Sequence, residues 1–143
     1  MGVQQLSVFL ENKAGRLSEV TGILAEAGIN IRALSLADTS DFGVLRLIVD
    51  QGEKALDALK FNGFSVAITD VVAVQVDDQP GGLHRILGLL HEVRINVEYM
   101  YAFVHQSGRH AVMIFRFDRP KDAVDLLQKN GIRMIEGDAL YRM

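Results

Sequence analysis

Asparagine, aspartate and glycine recur in this chain at matched spacings that suit hydrogen bonding to a small polar ligand. Asn12 stands three residues before Gly15, and Asp78 stands three before Gly81, which Gly82 follows. Eighteen residues after each comes a further asparagine, Asn30 and Asn96. A side-chain amide or carboxylate oxygen accepts hydrogen bonds from main-chain N–H groups or from a ligand's ammonium. Glycine lets the main chain approach a ligand closely and enter turn geometries closed to other residues. Asp78 favours a cationic group more than Asn12 does. The same residue types are also ordinary caps and turn formers, a role that contributes about 1 kcal/mol, and asparagine is common where a strand opens from a turn. Local chemistry leaves both roles open. Joint recurrence is what singles the pattern out.

That recurrence belongs to a longer repeat. ENKAGRLSEVTGILAEAGINI from Glu11 and DDQPGGLHRILGLLHEVRINV from Asp77 lie sixty-six residues apart. They share Gly15/Gly81, Leu17/Leu83, Gly22/Gly88, Leu24/Leu90, Glu26/Glu92, Ile29/Ile95 and Asn30/Asn96. After a two-residue slip the echo resumes in KALDALKFNGF from Lys54 and DAVDLLQKNGI from Asp122. The slip falls between Asp38 and Phe42 in one copy and between His105 and His110 in the other, where a hairpin turn would absorb it. A repeat of this period implies two like units, expected over residues 1–69 and 70–143. Any site built on the motif should occur twice.

The elements that must position these residues follow from hydrophobic periodicity. Alternation predicts a strand from Val3 to Glu11. Leu17, Val20, Leu24 and Ala27 then form one helical stripe, which Gly28 is placed to end. Two strands across a hairpin, a helix in KALDALK and a fourth strand in FSVAITD complete the first unit. The second repeats the order, with Leu83, Ile86, Leu87, Leu90 and Val93 on its first helix. The expected fold class is α+β: two ferredoxin-like β-α-β-β-α-β units with antiparallel sheets and helices on one face. TDVVAVQVDD leaves no room for a linker between the units, and their sheets would pair side by side. Leu45, Leu47 and Val49, like Met113, Phe115 and Phe117, are placed against the helices. Val44, Arg46 and Ile48, with Val112, Ile114 and Arg116, fall on the helix-free face, either a dimer interface or a half-apolar surface.

Composition narrows the classes of function. No cysteine is present, which excludes disulfide and thiolate chemistry. A formal charge of −3 gives no general attraction to nucleic acid or anionic lipid. MGVQQLSVF lacks the basic start and apolar run of a secretory signal, and no apolar tract is long enough to span a membrane. A cytoplasmic protein is expected. His84 and His91 are seven residues apart on one helix, about 10 Å by helical rise, too far to share one ion. His105 and His110 bracket a hairpin but lack a third ligand. Asp38 and Asp41 read as turn residues. QPGG lacks the closing residues of a phosphate-binding P-loop, and no nucleophile–base pair suggests catalysis. Neither a metal nor another cofactor is expected.

The N-x-x-G-x-L…G-I-N-I stretch, its second form D-x-P-G-G-L…R-I-N-V and the order of elements together resemble the ACT domain, a ligand-binding regulatory module of amino-acid metabolism. The first copy also looks much like the opening of acetolactate synthase regulatory subunits. The resemblance implies an amino acid held at the first strand–helix loop of one domain, with residues from a paired domain. Carried over, the loop residues are Leu10, Glu11, Asn12, Ala14, Gly15, Arg16 and Leu17. The second loop has Val76, Asp77, Asp78, Pro80, Gly81, Gly82 and Leu83. Asn30 and Asn96 match the partner-side asparagine, each completing the other copy's loop if the units pair. Ala14 stands where the family often has proline, and Leu10 and Val76 where serine sensors are polar, which argues against serine. The expectation is a non-catalytic sensor of a free amino acid or similar metabolite, a homodimer, acting on a partner enzyme. An alternative is a regulatory or structural subunit of a biosynthetic enzyme, acting mainly by association.

Overall fold

The structure is a computed structural model that describes residues 2–38, 41–103 and 110–143. The chain divides into two compact units. An N-terminal unit holds Gln4–Thr69 with Arg142, and a C-terminal unit holds Asp70–Tyr141 with residues 2, 3 and 143. The elements run β1 (Val3–Glu11), α1 (Arg16–Glu26), β2 (Ile31–Asp38), β3 (Phe42–Val49), α2 (Gly52–Phe61) and β4 (Ser65–Asp77). They continue as α3 (Gly82–Glu92), β5 (Val97–Phe103), β6 (His110–Phe117), α4 (Pro120–Lys129), β7 (Met134–Ile135) and α5 (Gly137–Arg142).

Strand order in the N-terminal unit is β4-β1-β3-β2, and in the C-terminal unit β7-β4-β6-β5. Both are the ferredoxin-like order, with antiparallel pairing of the hairpin strands β2–β3 and β5–β6. The helical stripes turn inward as periodicity requires. Val20 and Leu24 of α1, with Ala55 and Leu59 of α2, bury against Leu6, Val8, Leu45 and Leu47. In the other unit Ile86, Leu90, Ala123 and Leu127 bury against Val74, Val76, Phe115 and Phe117. The rings of Phe115 and Phe117 stack with centroids 5.1 Å apart.

Three features differ from the sequence expectation. The strand expected in FSVAITD does not stop before the next unit: β4 runs unbroken for 13 residues, and the unit boundary falls inside it. The last strand of the second unit shrinks to 2 residues, and the helix α5, unforeseen, follows it. On the helix-free face Ile48, Val112 and Ile114 are already buried in the single chain. Phe9 and Phe42 keep half or more of their surface exposed there. The hairpin residues around the two-residue slip, His105 among them, lie outside the described residues.

The first helix of each unit ends in a left-handed residue. Gly28 has φ 73° and its counterpart Arg94 has φ 57°. Ile29 and Ile95 then donate back to the carbonyls of Leu24 and Leu90. A side chain in that conformation costs about 1 kcal/mol relative to glycine. Replacing Arg94→Gly should therefore stabilise the fold by up to about 1 kcal/mol, read as a higher urea midpoint with unchanged slope.

Candidate functional site

β1 and β4 each hand over to a helix through a tight loop. Lys13 N–H donates to the Glu11 carbonyl (2.9 Å) and Arg16 N–H to the Lys13 carbonyl (3.4 Å). Gln79 N–H donates to the Asp77 carbonyl (2.9 Å) and Gly82 N–H to the Gln79 carbonyl (3.0 Å). The residue before each helix is a glycine in the left-handed region, Gly15 at φ 90° and Gly81 at φ 89°. Such a value disfavours any side chain. Each cap position is thus a glycine, which has no side chain with which to cap its helix. A helix start carries the positive end of the helix dipole and main-chain N–H donors.

The two loops differ in what closes them. Arg16 donates twice to the Glu19 carboxylate (3.0 and 3.1 Å) and once to Glu11 (3.3 Å). Lys13 adds a 3.6 Å ion pair with Glu11. These side chains narrow the hollow beside the first loop to about 80 Å³, lined by Leu10, Glu11, Asn12, Lys13, Arg16, Leu17, Leu36 and Gly43. The counterpart of Arg16 is Gly82, where a Cβ would collide with the Asp77 carbonyl oxygen. With no side chain there, the hollow beside the second loop is about 420 Å³. Its lining comprises Val76, Asp77, Asp78, Gln79, Pro80, Leu83, Ala111 and Met113. Asp77 faces His110 Nδ1 across the ladder at 3.6 Å.

Five of the first loop's expected residues thus share one hollow: Leu10, Glu11, Asn12, Arg16 and Leu17. Val76, Asp77, Asp78, Pro80 and Leu83 share the other. Ala14, Gly15, Gly81 and Gly82 shape the loops without lining either hollow. Asn30 and Asn96 also line neither. Asn12 N–H binds the Asp41 carbonyl at the start of β3, whereas Asn30 binds Asp50 beyond its end. The length of a strand, about 25 Å, therefore separates the asparagine from the loop of its own unit.

Sequence reasoning missed what holds those asparagines. Asn30 N–H donates to Asp50 Oδ1 (3.0 Å), and Asp50 N–H donates to the Asn30 carbonyl (3.1 Å). Asn96 and Asp118 make the same pair of bonds (3.0 and 3.1 Å). The next residue reaches the end of the preceding helix: Gln51 donates to the Gly28 carbonyl (3.3 Å) and Arg119 to the Val93 carbonyl (2.7 Å). Just beyond each asparagine the ladder slips by a bulge, between Ile31 and Ala33 and between Val97 and Tyr99. A bulge re-aims the neighbouring side chains. Asp50 and Asp118 occupy equivalent positions after the hairpin slip, the one signal that could have exposed them. His84 and His91 are exposed on α3, and no group of three metal-ligating side chains occurs among the described residues. Among the described residues no helix is long and apolar enough to cross a membrane.

Known proteins carry the same doubled arrangement. The family model of the ACT domain pair matches residues 1–143. The chain belongs to the ACT domain pair family. A crystal structure of a Bacteroides thetaiotaomicron protein superposes with a TM-score of 0.93 and 40% identity, covering 100% of this chain and 98% of that one. The acetolactate synthase isozyme 3 small subunit of Escherichia coli strain K12 is 39% identical over 57 residues, 38% of this chain and 35% of its own length. The chain thus matches about a third of that curated relative. The ligand-free regulatory subunit of aspartate kinase from Thermus thermophilus shares the fold, with a TM-score of 0.66 at 16% identity over 90% of this chain and 93% of that one. ACT domains are regulatory, and the similarity to acetolactate synthase regulatory subunits read from the first motif is that of a relative.

The aspartate latch makes a direct prediction. Asp50→Ala removes an acceptor from the Asn30 N–H and should cost about 1 kcal/mol by urea unfolding. Asp50→Asn keeps an acceptor oxygen and should recover most of that loss.

Proposed function

We propose that this ACT domain pair is a non-catalytic sensor of a free amino acid or similar small metabolite, and that it regulates amino-acid metabolism. The observation that carries the reading is the loop built twice: a left-handed glycine at the cap position of a helix and an adjoining hollow that gathers the motif residues. A helix N-terminus suits the ligand's carboxylate. Asn12 and Asp78 offer acceptors to its ammonium. The binding residues of the first loop are Leu10, Glu11, Asn12, Ala14, Gly15, Arg16 and Leu17. Those of the second are Val76, Asp77, Asp78, Pro80, Gly81, Gly82 and Leu83. Asn30 and Asn96 contribute from an ACT unit other than the one that owns the loop, since a strand's length separates them from their own. A homodimer is one way to supply such units.

The unequal hollows favour unequal sites. Arg16, pinned by Glu11 and Glu19, crowds the first, whereas Gly82 leaves the second open beside two carboxylates, Asp77 and Asp78. A ligand regulates by binding one arrangement of domains better than another, and a partner enzyme would read that arrangement. The small-subunit relatives support a second reading, in which the chain acts mainly through association with a biosynthetic enzyme. A cytoplasmic setting suits both.

Calorimetry and thermal shift against the twenty common amino acids test the proposal. We expect at least one to bind and raise the melting temperature, and Asn12→Ala and Asn30→Ala each to weaken it about tenfold, some 1.4 kcal/mol. Silence from all twenty rejects amino-acid sensing. Unchanged affinity in both variants removes the roles given to those asparagines. Capture of an enzyme in fixed ratio, indifferent to added amino acid, would favour the second reading.

A further inference from the structure

The C-terminal unit carries a groove between α4 and the strand edge of β4 and β7. In the N-terminal unit α2 is followed by the Ser65–Thr69 part of β4, whereas α4 is followed by only 2 residues in β7, paired to Ala73 and Val74. The chain then leaves the sheet at Gly137, which is pressed against neighbouring main chain. A Cβ there would lie 3.0 Å from the Gly2 carbonyl oxygen and 3.2 Å from Tyr141 Oη. The groove beside α4 has a volume of about 520 Å³. Small-molecule sites commonly span roughly 300–1,000 Å³.

Its chemistry is two-sided. Val72, Val124 and Met134, all half-buried, give it an apolar wall. Asp70, Asp125 and Glu136 stand exposed at its edge. Lys121 is the one cationic side chain in the lining. Arg116 adds a second cation nearby, its guanidinium donating to the Asp70 carbonyl (2.9 Å); three carboxylates against these two cations leave a net negative field that favours a cation over an anion. A free amino acid would bring its own carboxylate into that field. The groove shares no lining residue with the hollow beside Asp77–Pro80.

We propose that this groove is a separate small-molecule site for an organic cation with a short apolar body, such as a primary alkylamine without a carboxylate. It does not depend on the sensor reading of the repeated loops. The apolar body covers Val72, Val124 and Met134, and the ammonium sits among Asp70, Asp125 and Glu136.

Methyl-resolved NMR titration of the full chain with hexylammonium, hexanoate and hexanol tests the site. Hexylammonium should shift the methyls of Val72, Val124 and Met134 saturably, at least about tenfold more tightly than either other probe. Asp125→Lys, on the exposed side of α4, should abolish that preference without lowering the melting temperature. Glu136→Gln should weaken hexylammonium binding and leave hexanol binding unchanged. The proposal fails if the three probes bind alike, if none moves these methyls, or if hexylammonium moves only those of Leu83 and Met113. It also fails if both variants keep the wild-type preference.

Discussion

A strand that turns into a helix within four or five residues must place one residue where side chains are poorly tolerated, and in this protein that constraint is met by Gly15 and Gly81. Their φ values of 90° and 89° let β1 and β4 reach α1 and α3 with no side chain at the cap position itself. The motif residues are arranged around this backbone: Leu10 and Val76 lie one residue before the strand ends, Leu17 and Leu83 one residue into the helices, and Asn12 and Asp78 stand between.

Two otherwise similar loops diverge through a single position. Arg16 reaches Glu19 and Glu11 and lines the first hollow. Gly82 cannot carry a side chain at all, because the Asp77 carbonyl occupies the place of its Cβ. The stronger turn bond of the second loop, 3.0 Å against 3.4 Å, accompanies that closer approach. Duplication thus supplied two copies of one backbone device, and one side chain made them unequal.

The repeat, the helical stripes and the ferredoxin-like order were legible because each rests on local periodicity. Leu24, Leu59, Leu90 and Leu127 mark the buried stripes directly. Asn62 and Asn130 close α2 and α4, each donating its side-chain amide to the carbonyl four residues back. What stayed hidden depends on contacts distant in sequence. Thr69 and Asp70 are polar, yet β4 continues through them. Two residues past β7, Gly137 packs so closely that a Cβ would lie 3.0 Å from the Gly2 carbonyl oxygen. Asp50 and Asp118 lie twenty and twenty-two residues from the asparagines they hold, and the hairpin slip masks their equivalence.

Backbone-amide NMR during amino-acid titration tests most directly whether the glycine-led helix starts are the binding elements. The account predicts saturable shifts at the N–H groups of Leu17 and Ser18, of Leu83 and His84, or of both pairs, with the larger response from an α-amino acid than from its amine lacking the carboxylate. Binding that leaves all four amides unmoved while shifting others would contradict it.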